Sequence, residues 1–462
     1  MKLRHLLFPL LAVSAVARAA DLPALWAERV KCTVAVEYFT ETETARPATV
    51  IYGTVIDRQG TIILPPAAID VRVPPDELKE FRVFLPGDPA SASAVYLGQD
   101  AFTGWHFLRA EERVRSRLVP VTDFAASGCS PVPALAEEVW GIGLRPKEED
   151  FMPYLLKSYI AFTQLLPQPA AVAQQEVAGP GLPVFNRAGA FVGLAMSSGG
   201  QNYMMFSQAY RGGTPVIMID LEESTVFQLA GDVLPYLGRI PQNVNGRPLA
   251  WLGADGLEPM GRDVAAFLKL EGRSGAVVSE VLEDSPAEKA GMKDRDIIIA
   301  IGGKPLPVFR PDSVVTEYVE REVVRRRPGD VLALTVLRGS DRVQVRAVLG
   351  EEPTLIREAQ RRYFDRIGFT AREFVYGDAV ARRIKVSQTA GVVVHYVKPN
   401  SPAAIAGLQP DDWVKEIDGT ATHTFGEAVA KLSAIENDIF RSEFVLLVSH
   451  GSDTAVLRVK LK

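Results

Sequence analysis

The sequence predicts a mainly β chain, with an all-β region over about residues 20–228 followed by two copies of one α+β unit. Three observations point there. Short apolar runs between Gly and Pro turns fill the first region, as in a barrel or a sandwich. An eight-residue segment recurs in matching surroundings in the second half. The chain has 462 residues, 47% hydrophobic and 23% charged, a composition that can build about three cores.

The first residues stand apart. Lys2 and Arg4 open the chain, Leu6 to Val16 form an apolar run, and Ala17-Arg18-Ala19 supplies small residues for cleavage. Residues 1–19 therefore read as a signal peptide, and the chain as exported to the periplasm or its equivalent. A non-cleaved anchor is the alternative, although the run is short for a bilayer. No later segment has the length and apolarity of a membrane helix.

Strand candidates follow at Cys32–Tyr38, Thr49–Ile56, Thr61–Leu64, Phe81–Leu85, Ala94–Leu97 and Leu118–Val121. Further candidates are Glu138–Ile142, Phe191–Met196 and Val216–Ile219. Cys32 and Cys129 are too few for a disulfide framework or a zinc site; they read as a single pair or as two small buried hydrophobes. The five histidines, at 5, 106, 395, 423 and 450, are too scattered for a metal site, and no cofactor motif occurs. A net charge of −5 with no long Lys/Arg block argues against nucleic acid.

The repeat begins at Ser285-Pro286-Ala287-Glu288-Lys289-Ala290-Gly291-Met292. It returns 116 residues later as Ser401-Pro402-Ala403-Ala404-Ile405-Ala406-Gly407-Leu408. Ser suits a helix N-cap, Pro the first helical position and Gly a left-handed close. Each copy lies between strand-like runs, Gly275–Val278 and Asp296–Gly302 in the first, Gly391–Val394 and Asp412–Gly419 in the second. Longer helices are predicted over Asp312–Arg325 and Thr424–Ile435, with Val315, Val319, Phe425, Val429 and Leu432 at helical spacing. Arg325-Arg326-Arg327 reads as complementing the end of the first, with an acidic partner as the alternative.

Both units resemble PDZ domains of the bacterial type, over about 232–349 and 363–462, with 350–362 as a linker of helical character. The resemblance implies an x-apolar-Gly-apolar loop at the head of a peptide groove. Trp251-Leu252-Gly253-Ala254 and Arg366-Ile367-Gly368-Phe369 fit it. The peptide-binding role then falls to Leu252, Gly253, Ala254, Ile367, Gly368 and Phe369, whose N–H groups would receive a terminal carboxylate. A groove filled by the chain's own linker or by a neighbouring domain is the competing reading. Trp251 reads equally as a ligand contact or as a residue of a domain seam.

Tandem PDZ units behind an exported β region resemble the HtrA family of trypsin-like proteases, which implies a double β-barrel over 20–228. Gly53–Leu64 is similar to the strand pair before the catalytic His, which places Ala68 at that position. Thr103-Gly104-Trp105-His106-Phe107-Leu108 places Gly104 at the catalytic Asp, and Ala178-Gly179-Pro180-Gly181-Leu182-Pro183 places Pro180 at the nucleophile. Acyl transfer in that family needs a hydroxyl, an imidazole, a carboxylate and oxyanion donors, and Pro180 lacks even the N–H. Shifting the register restores nothing: no histidine stands between residue 20 and His106, and 178–184 hold no Ser, Thr or Cys.

The expectation is therefore a degenerate, non-enzymatic member of the family that binds peptides or C-termini of exported proteins. The alternatives are a holding chaperone, or an active endopeptidase with a rebuilt site using His106 and Ser197-Ser198. The resemblance also admits a homo-oligomer.

Overall fold

A computed structural model describes residues 21–461 apart from 71, 126–131, 165–168, 200–201, 207–214, 220–223, 247–248, 269, 271, 310–311, 386–390 and 452. The expected leader and Cys129 lie outside the described residues.

Two closed six-stranded barrels form the first half. The first is built from Thr33–Thr40, Ala48–Val55, Thr61–Leu64, Leu78–Phe84, Ser91–Gln99 and His106–Ala110. Its core is made by inward residues such as Val34, Val36, Ile62, Leu64, Val83 and Leu108. The second uses Glu138–Leu144, Pro153–Gln164, Ala170–Ala173, Pro183–Asn186, Phe191–Gly199 and Ser224–Leu229. Trp140, Phe185, Phe191 and Phe227 fill it. A helix, Leu22–Arg29, lies on this barrel, with Arg29 donating to the Gly189 carbonyl at 3.0 and 3.1 Å and Trp26 beside Trp140.

Most expected strands form within two or three residues of their predicted ends. Leu118–Val121 does not: Pro120 interrupts it, and Val121–Phe124 is a 3-10 turn. Pro153–Gln164 escapes the pattern because Leu155, Tyr159 and Phe162 are exposed on it, which blurs the alternation.

The repeat folds as its residues dictate. Ser285 Oγ accepts from the Glu288 N–H at 3.1 Å and Ser401 Oγ from the Ala404 N–H at 3.2 Å, each capping a one-turn helix that starts on Pro. Longer helices, Val314–Val324 and Phe425–Asn437, bury Val315, Val319 and Val323 in one unit and Ala428, Leu432 and Ile435 in the other. Each unit keeps its own core. The chain is thus a trypsin-like double barrel followed by two PDZ domains.

The helical character expected of 350–362 is limited to one 3-10 turn. Gly350–Glu351 pairs with Ala250–Trp251, a 3-10 turn covers Ile356–Glu358, and Arg361–Phe364 starts a new strand.

Candidate functional site

The barrels meet where the Pro65–Ala68, Gly104 and Gly179–Leu182 segments converge. Ala68 ends a 3-10 turn and is buried, its carbonyl accepting from Tyr38 Oη at 2.9 Å. Gly104 has φ +72, and a Cβ there would stand 3.1 Å from the Pro66 ring. A side chain at this position requires the turn before Ala68 to move. Pro180 is exposed, and beside it Gly181 faces Pro65 and Tyr52 across the cleft. The N–H groups here point inward: Gly179 donates to Ile142 O, Gly181 to Ala195 O and Leu182 to Gly179 O. None of the three is free to receive an oxyanion.

His106 lies close by and is enclosed. Its Nδ1 is 3.0 Å from Tyr96 Oη and its Nε2 3.4 Å from Pro66 O. The neutral ring then accepts from tyrosine and donates to the carbonyl. Burial pulls its pKa down to about 4. Ser197 and Ser198 continue the strand Phe191–Gly199 rather than forming a turn, and their side chains lie outside the described residues. Sequence reasoning passed over Asp100, which is buried. It receives Arg239 Nε at 2.9 and 3.0 Å and the Thr103 hydroxyl at 2.9 Å. Only the distant Arg239 could have signalled it.

The two PDZ loops share one support. Leu252 O accepts from Ala287 N at 2.8 Å, and Ile367 O from Ala403 N at 3.0 Å. A Cβ on Gly253 (φ +76) would fall 2.2 Å from Ser285 Cβ, and one on Gly368 (φ +87) 2.1 Å from Ser401 Cβ. Loop glycine and capping serine are therefore one device: the Ser-Pro-Ala turn fits against the loop only where no side chain intervenes.

Beyond that shared frame the loops differ. Among the described residues nothing accepts from the Gly253 N–H, and no strand pairs with the outer edge of Ala254–Asp255 or Glu258–Pro259. In the second unit the Gly368 N–H donates to Phe364 O at 2.7 Å. The groove strand Phe369–Glu373 pairs with Val392–Val397 on one edge and Arg361–Phe364 on the other. The N–H expected to await a carboxylate is already engaged. Trp251 stands at the seam between the units, its ring centroid 5.4 Å from Tyr376, whose hydroxyl donates to Glu283 O at 2.8 Å.

Among the described residues no group of His, Cys, Asp and Glu could hold a metal, and no helix is long and apolar enough to cross a membrane.

A double barrel carrying two PDZ domains defines the class as PDZ-bearing proteins of the trypsin fold. A model of the PDZ domain family matches residues 277–338 and 393–441. A probable periplasmic serine endoprotease, DegP-like, of Brucella suis biovar 1 is 27% identical over 277 residues, covering 60% of this chain and 48% of that protein. The protein of the same description in Ectopseudomonas mendocina is 26% identical over 268 residues, 54% of this chain and 49% of the relative. The chain spans about half the length of the curated relatives it matches. The solved HtrA-type protease AlgW with decapeptide shares the fold at TM-score 0.50 and 16% identity, over 73% of this chain and all of that one. The chain therefore carries PDZ domains and is similar, over more than half of its length, to DegP-like and HtrA-type proteins.

These likenesses correct one expectation. The sequence predicts a non-enzymatic pseudoprotease, with an active endopeptidase kept as an alternative, whereas its curated relatives are named serine endoproteases and the matched fold is that of an HtrA-type protease. They point to a protease. Ala68, Gly104 and Pro180 themselves offer no hydroxyl, imidazole or carboxylate.

Proposed function

We propose that this chain works outside the cytoplasm as an HtrA-type protein that captures extended C-terminal peptides of exported proteins in its first PDZ domain. One observation carries this reading: among the described residues, the Gly253 N–H has no acceptor and stands at the head of a strand edge that no other strand pairs. A peptide added along Ala254–Pro259 would satisfy that edge, and its carboxylate would meet the loop. The relatives' description as periplasmic and the apolar leader both support the compartment. Hydrogen–deuterium exchange with a pool of free C-terminal decapeptides tests the site. Exchange should slow over 252–259 and the helix 314–324; unchanged exchange there would remove the reading.

Endopeptidase activity is the second reading, favoured by the relatives' names. On this chain it requires a nucleophile and a base elsewhere than 68, 104 and 180, and Ser197, Ser198 and His106 are the residues to examine. Cleavage of unfolded casein, with fluorophosphonate labelling mapped to one serine and abolished by its replacement with alanine, would establish it. Absence of both turnover and labelling would count against it.

A further inference from the structure

The second groove of this fold is lined by Phe369–Glu373 on one side and the helix Phe425–Asn437 on the other. The strand Arg361–Phe364 lies along it and touches both elements. It runs antiparallel to the groove strand, with Arg361 opposite Arg372, Arg362 opposite Ala371, Tyr363 opposite Thr370 and Phe364 opposite Phe369. That is the direction and pairing of a peptide bound by strand addition. Phe364 is fully buried in the core of the unit, its ring 5.7 Å from that of Phe369. Its carbonyl takes the Gly368 N–H, the donor that a terminal carboxylate would otherwise use.

The exit from the groove is closed as well. Arg366 donates to the carbonyls of Glu436, Asp438 and Arg441 at 2.9, 2.7 and 2.8 Å, and its N–H donates to Glu436 Oε1. Its charge is thereby committed to the end of the groove helix, where it offsets unpaired carbonyls. The far end of the strand is fastened to the first barrel. Arg361 lies 3.7 Å from Asp76, Arg357 Nη1 donates to Gln99 Oε1 at 2.7 Å, and the Thr370 hydroxyl donates to Glu43 at 2.5 Å.

We infer that Arg361-Arg362-Tyr363-Phe364 is a built-in ligand of the second PDZ groove, which is closed to free C-terminal peptides while this strand is in place. External capture then falls to the first groove. The division of labour rests on the function proposed above; the occupancy of the second groove does not, and the test separates the two.

Tyr363→Cys with Thr370→Cys in the full chain should form a disulfide on mild oxidation, found by peptide mapping, because directly opposed residues have bridgeable geometry. No cross-link would overturn the occupancy whatever peptides do. Titration calorimetry with a hexapeptide ending in Arg-Arg-Tyr-Phe and a free carboxylate provides the second arm. Wild type and the oxidised double-cysteine protein should show no more than one site per chain. Phe364→Gly should gain a site at least tenfold tighter than any residual second binding in wild type. Arg361→Ala, which removes the bonds to Ile356 O and Arg357 O and the Asp76 contact while leaving Phe364 in place, should move the same way. Two sites in wild type would contradict the inference. A cross-link without a gained site in either variant would make the strand a structural edge rather than a ligand, which also defeats it.

Discussion

Both ring nitrogens of His106 are engaged inside the first barrel, by Tyr96 and by the Pro66 carbonyl, and the side chain is buried. Unfolded, a histidine titrates near ~6.5, whereas here it stays neutral down to about 4. Between those values the unfolded state binds more protons. Stability from this group therefore falls as pH drops from about 6.5 to about 4, by roughly 3 kcal/mol in all, and then levels off. Glu77 works the other way: burial raises its pKa to about 6 against the pull of Arg361, so the folded state holds that proton more tightly. The His106 effect must be read as a difference. His106→Gln should flatten the decline in urea-midpoint stability over that window relative to wild type; parallel curves would refute the assignment. Gly253 makes a second test at this scale. Gly253→Val strains a positive φ and drives Cβ into Ser285, so it should lower the melting temperature of the first PDZ domain as well as its peptide affinity. Unaltered stability with lost binding would mean that the loop carries no packing role.

At the scale of elements, the capped turns and the grooves they support were open to sequence reasoning. Ser-Pro-Ala followed by Gly signals a one-turn helix by itself, and its recurrence identified the unit. Hidden from that reasoning was the partner of each cap, since nothing local says that Ser401 Oγ also receives no side chain from residue 368, or that it donates to Gly368 O at 3.1 Å. Ser401→Ala should cost about 1–2 kcal/mol, read from denaturant unfolding of the second unit. The groove strand carries another element-scale contact. Arg372 and Asp378, both almost fully buried, share two hydrogen bonds of 2.8 Å. Burial alone would raise the Asp378 pKa, but the bonds from Arg372 and from the Val375 N–H hold it below the usual range. Arg372→Met leaves that buried carboxylate only the Val375 N–H and the longer 3.3 Å contact to Arg382, and should destabilise the unit by about 1–3 kcal/mol. A change below about 1 kcal/mol would show that water reaches the pair. The strand Arg361–Phe364 escaped sequence reasoning because charged residues and Pro353 just before it resemble a solvated linker; its pairing is a tertiary property.

At the scale of the whole molecule, the barrels and the PDZ pair were legible from glycine-led turns and one repeat. The order of strands in the closed barrels and the unequal state of the two grooves were not, because both depend on contacts far apart in sequence. The chain joins two closed barrels to two PDZ units, of which only the second has a strand paired on the outer edge of Phe369–Glu373 among the described residues. Carboxylate capture at the first groove stands or falls on one comparison. A decapeptide selected from a C-terminal library is titrated into the chain as free acid and as C-terminal amide. The free acid should bind more tightly by about 1–3 kcal/mol, roughly tenfold to a hundredfold in Kd, the range of a charge-assisted hydrogen bond. Equal affinity of the two forms would contradict the account, and would mean that the groove reads internal segments.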